Sequence, residues 1–145
     1  METGMLHLHN VLRWVILILL LVTLYQAFAK KESIRSSSLW LMIAAHTMLL
    51  IGLYQVIAGR FGILKGLPES VPSLMKDSFY RFYWVEHPIL MVVAIVLITL
   101  ARGKVKALNY KTAGWLLLIA LIFILVAIPW PFREVGVNRA WFPGM

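Results

Sequence analysis

The sequence predicts an all-α integral membrane protein, an antiparallel four-helix bundle. Three observations predict it. The 145 residues are 61% hydrophobic and 14% charged, whereas soluble domains run about 45–50% apolar and about 25% charged. Four apolar runs each approach the ~20 residues that cross a ~30 Å hydrocarbon core as a helix. The basic residues, 14 Lys+Arg against 6 Asp+Glu, lie in short blocks between those runs. This composition excludes a disordered chain, a collagen-like repeat and an ordinary water-soluble enzyme core. A formal charge of +8 would suggest nucleic acid in a soluble chain. Spread over loops between apolar runs, it indicates a lipid bilayer as partner and no nucleic acid. The absence of Cys excludes disulfides, thiolate metal sites, Fe–S clusters and a covalent c-type haem link.

The first span is expected over residues 6–29. Its apolar region is too long for a cleaved signal peptide, the basic residues follow it, and no small-x-small site appears. Loop one, residues 30–38, holds Lys30, Lys31 and Arg35. The second span covers 39–58, with His46 inside it and Gly52 near its middle. Loop two is the longest connection, broken by Gly59, Gly62, Gly66, Pro68 and Pro72. Pro72 suits the first turn of a helix, so an outer helical segment is expected over 72–83. Asp77 and Arg81 would pair there at i,i+4. That segment runs into the third span, 84–101, with a kink at His87–Pro88, because Pro88 cannot donate to the carbonyl of Trp84. Loop three, 102–112, holds Arg102, Lys104, Lys106 and Lys111, and the fourth span covers 113–129. Phe79, Tyr80, Phe82, Tyr83 and Trp84 form an interfacial aromatic belt, joined from the tail by Trp130, Phe132, Trp141 and Phe142.

Loops one and three together carry seven basic residues. The opposite side also carries seven, Arg139 among them, but over much longer segments. Density therefore places loops one and three in the cytoplasm and both termini outside.

Function must lie between the helices, on a few ionisable side chains. An ionisable residue inside a span faces the bundle interior or a cavity by default. His46 sits roughly 12 Å into the membrane, His87 roughly 22 Å from the inner edge, and His9 roughly 31 Å up, at the outer edge. A haem iron between helices takes axial histidines from facing helices. His46 with His87 is the expected pair of metal ligands, both lying in the hydrocarbon region, with His9 as the substitute partner. The estimated height gaps are roughly 10 Å for His46–His87 and roughly 9 Å for His9–His87. Arg13, one turn from His9, either snorkels to the surface or pairs with a carboxylate or propionate between helices. Trp14 follows it. Tyr54 and Gln55 could hydrogen-bond a quinone carbonyl, or serve as interhelical glue. His7 and His9 form an HxH that is a weak copper or zinc signal. No soluble-type catalytic set is present, and no catalytic residue is assigned.

The segments HNVLRW (9–14), HTMLLIGL (46–53), MKDSFYRF with VEH (75–87), AIVLITLARGKVK (94–106) and IPWPFR (128–133) resemble a family of small four-helix bacterial membrane proteins commonly labelled "cytochrome B". The resemblance covers nearly the whole chain, in order. It implies that His9, Arg13, Trp14, His46, Arg81, Glu86, His87 and Arg133 occupy the family's pattern positions, that the protein resides in a bacterial inner membrane with periplasmic termini, and that haem b is the cofactor. Cofactor-binding candidates are thus His46, His87, His9, Arg13, Trp14 and Arg81. The expected function is a b-type cytochrome-like redox protein. The alternatives are a cofactor-free small subunit or assembly factor of a larger membrane complex, and a quinone- or metal-binding membrane protein.

Overall fold

The computed structural model describes residues 2–136 and 141–142; Arg139 lies outside the described residues. The chain folds into helices α1 (Glu2–Phe28), α2 (Ile34–Ala58), α3 (Ser78–Arg81), α4 (His87–Lys106) and α5 (Tyr110–Ala127). Single 3-10 turns lie at Ile63–Lys65 and Glu134–Gly136, and no strand occurs among the described residues. Four stretches are long and apolar enough to cross a membrane: α1, α2, α3 running on into α4, and α5. Successive spans alternate in direction, so neighbours in the bundle are antiparallel. α1 packs on α2, α2 on α4, α4 on α5, and α5 back on α1. The four long helices therefore close a ring in which α1 and α4 stand across a diagonal.

Each helix turns one stripe to the interior, with positions alternating three and four residues apart. In α1 the buried stripe includes Ile16, Leu20, Thr23 and Ala27, with Leu17 beside it; in α2, Ile34, Ser38, Leu41, Ala45 and Met48, with Ile51 beside it. In α4 they are Ala94, Ile98, Ala101 and Val105, and in α5, Ala113, Leu117, Ala120, Ile124 and Ala127. This alternation is the seam of a helix bundle, and its many alanines let the backbones approach closely, as membrane helices do. Thr23 is fully buried yet satisfied, donating to Leu19 O at 2.6 Å. The opposite faces are as apolar as the seam. Ile18 is 61% exposed and Leu50 70%, side chains that lipid would cover.

Two expectations for the segment before α4 are corrected. The helix does not begin at Pro72; residues 72–77 are bends and turns, and α3 starts at Ser78. Asp77 stops it from starting earlier. Its backbone is extended, and its side chain accepts from Tyr80 N at 2.9 Å, a side-chain N-cap. Asp77 thus caps the helix instead of pairing with Arg81, which bonds Glu86 at 2.8 Å. The irregularity expected at His87–Pro88 is a π turn, Phe82–Glu86, in which His87 N–H reaches back five residues to Phe82 O. Pro88 has no N–H for the carbonyl of Trp84, so the α-helical ladder is interrupted there in any case. A wider turn accommodates the gap.

Candidate functional site

A cavity of about 600 Å³ opens at the end of the bundle opposite loops one and three. It falls within the ~300–1,000 Å³ usual for small-molecule and cofactor sites. His9 comes to it from α1, Gly52 from α2, and His87 from the first residue of α4. Each is the continuation of its helix's interior stripe: His9 and Arg13 precede Ile16 in α1, Gly52 follows Met48 in α2, and His87 precedes Met91 and Ala94 in α4. The apolar seam becomes polar in its last two turns.

His9 and His87 face one another across the diagonal, with ring centroids 6.3 Å apart and planes inclined at 54°. Nineteen residues separate His9 from Phe28 at the end of α1, and nineteen separate His87 from Lys106 at the end of α4. Equal helical rises bring the two rings to one level. The sequence estimate of a gap between them took the third span to end at Arg102, whereas α4 continues for another turn. His46 stands only twelve residues into α2, about 10 Å below that level at 1.5 Å per residue.

The expected His46–His87 pairing is therefore not the one this fold makes. His46 follows the stripe residue Ala45, points out of the bundle and is exposed, and its Nδ1 donates to Met42 O of its own helix at 2.8 Å. The substitute partner, His9, is the one that meets His87. Trp14 and Arg81 also lie off the cavity lining. Trp14 Nε1 donates to Trp141 O at 2.9 Å and the ring stacks on Phe142 at 5.3 Å. Arg81 holds Glu86 and donates to Met75 O at 2.9 Å, bracing the turns before α3. Of the six candidates, the cavity gathers His9, Arg13 and His87.

Hydrogen bonds fix these groups. His87 Nδ1 lies 2.7 Å from Ala127 O. A carbonyl only accepts, so Nδ1 carries the proton and the lone pair of the neutral ring is on Nε2. Histidine ligands of metals are commonly held this way, by a donated bond from the other ring nitrogen. Gly52 gives His9 its room: a Cβ there would stand 3.7 Å from His9 Cε1. Arg13 donates through Nη2 to Trp141 O at 2.7 Å, while its Nε and the nearby Asn10 Oδ1 are buried without hydrogen-bond partners. Arg60 adds a second cation, and among the described residues no Asp or Glu lines the cavity. Gln55 Nε2 donates to Met5 O at 3.1 Å, tying α2 to α1 at the mouth. Tyr83 and Trp84 close the side, with their polar atoms bonded to Val135 O and Phe61 O.

Asn10 and Arg60 were not singled out by sequence. Asn10 adjoins His9 and could have been found with it; Arg60 sits in an irregular loop, where no periodicity reports its direction.

The donor set suits haem. Two imidazoles approaching from opposite helices, as His9 and His87 do, would be the residues to hold such a group. Among the described residues no group of three or more His, Cys, Asp and Glu could hold a metal ion. Arg13 and Arg60 offer cations with no carboxylate among the described lining residues, a setting that would suit acidic substituents of a bound group.

Fold and cavity together define a four-helix membrane protein with a histidine-lined site within the bundle at one end. No protein-family profile, curated protein sequence or solved structure matches the chain.

Proposed function

We propose that the protein is a b-type cytochrome-like redox protein of a bacterial inner membrane, holding one haem between α1 and α4. The observation that carries this reading is the level, cross-bundle approach of His9 and His87, 6.3 Å apart at a cavity of about 600 Å³. Haem supplies reversible one-electron transfer when bound. His87, oriented by Ala127 O, presents Nε2 as a ligand, and His9 presents its ring from the opposite helix. Arg13 and Arg60 would neutralise acidic substituents of the bound group, and their charge would favour its more negative, reduced state. Tyr83, Trp84 and the docked Trp141–Phe142 pair restrict water at the side and top. The tail and loop two lie on the periplasmic face, and loops one and three on the cytoplasmic face.

The test is the reduced-minus-oxidised spectrum of the detergent-purified protein. The expected result is a Soret band with a sharp α-band and one iron per chain. A folded, colourless and iron-free preparation from haem-sufficient cells contradicts it.

A second reading has its own support. His46 and Thr47 are exposed about halfway along α2, at a depth where polar groups normally face protein. A larger membrane partner covering that face would make this chain its small subunit. Mild-detergent purification would then retain the partner, and His46→Ala would release it without changing the spectrum.

A further inference from the structure

At the opposite end of the bundle lies a second pocket, of about 170 Å³, lined by Arg35, Arg102 and Lys106. Arg35 is in the first turn of α2, and Arg102 and Lys106 are one turn apart at the end of α4, so adjacent helices bring three cations together. Arg102 is half-buried and fixed: its Nη1 donates to Arg35 O at 2.8 Å and interacts with Ser38 Oγ at 3.0 Å. Its Nε is buried with no hydrogen-bond partner. Among the described residues none of these three cations forms an ion pair with a carboxylate; Arg81–Glu86 lies elsewhere. Like charges held this close repel, so the pocket gains from an anion with several acceptor oxygens.

The surroundings select the kind of anion. Arg35, Leu39 and Ile43 lie at i, i+4 and i+8 along α2, on one ridge. All three are exposed, Leu39 by 36% and Ile43 by 43%. An apolar track thus runs from the cation pocket into the depth of the membrane. Basic pockets between membrane helices at this level suit lipid head groups.

We propose that Arg35, Arg102 and Lys106 bind the phosphate of an anionic phospholipid whose acyl chain lies along Leu39 and Ile43. Free inorganic phosphate shares the head-group chemistry but makes no use of the apolar ridge.

Native mass spectrometry of the full-length protein in maltoside detergent tests this. Phosphatidylglycerol should bind at least about tenfold more tightly than phosphatidylcholine, a difference of about 1.4 kcal/mol. The double variant Arg35→Gln, Lys106→Gln should erase that preference, while Lys106→Arg should keep it. Arg102 is left in place because it ties α2 to α4. Equal binding of the two lipids by the unaltered chain overturns the proposal without recourse to any variant. So does a preference that survives in the folded double variant, or displacement of phosphatidylglycerol by equimolar inorganic phosphate.

Discussion

Three of the four histidines, His9, His46 and His87, meet two different fates, decided by helical register and depth. His9 and His87 prolong the interior stripes of α1 and α4 and arrive at one level; His46 stands one position off the stripe of α2 and turns outward. Gly52 of α2 lies beside the first of these rings. Since its added Cβ would make an ordinary 3.7 Å contact with His9 Cε1, Gly52→Ala should keep the haem content of the unaltered chain. Gly52→Leu carries three further carbons into the same space, an overpacking of about 1–3 kcal/mol. It should lose most of the Soret absorbance per chain while retaining its helical circular dichroism.

At the scale of elements, the entry to α4 departs most from its sequence expectation. Pro72 looked like a helix start, yet it is Asp77 whose side chain reaches a free N–H and sets the first turn. Capping outranked proline placement because the turns and bends of 72–77 leave no helix for Pro72 to open. Pro88 was legible as a break, because a missing donor has the same consequence in any context. The π turn opens at Phe82, which is 1% exposed and lies under Arg133 at 5.2 Å. No local pattern encodes that contact. Arg81, assigned to the cofactor through the resemblance, braces this entry instead. Its ion pair is more than a third exposed on the Glu86 side, so Arg81→Gln should cost under about 1 kcal/mol and leave the haem spectrum unchanged. Thermal melting and the difference spectrum check both parts.

For the whole molecule, the same uniformity that made the membrane fold legible concealed the site. A chain apolar on every face announces spans of the right length, but hydropathy does not distinguish the lipid side from the seam. Small residues at three-four spacing do distinguish them, and extending those stripes outward from Ala27, Ala45 and Ala101 leads to His9, Gly52 and His87. The proposed orientation rests on the charged ends. With no native Cys, single cysteines report it cleanly. A membrane-impermeant maleimide should label Ser70→Cys of loop two in cells with a permeabilised outer membrane, and should label Ser36→Cys only after lysis; the reverse pattern would invert the topology. The central claim, that His9 and His87 together hold one haem, is tested most directly by Soret absorbance per folded chain in three single variants. The expected result is loss in His9→Ala and in His87→Ala, with full absorbance in His46→Ala. Retention in His9→Ala together with loss in His46→Ala would contradict it.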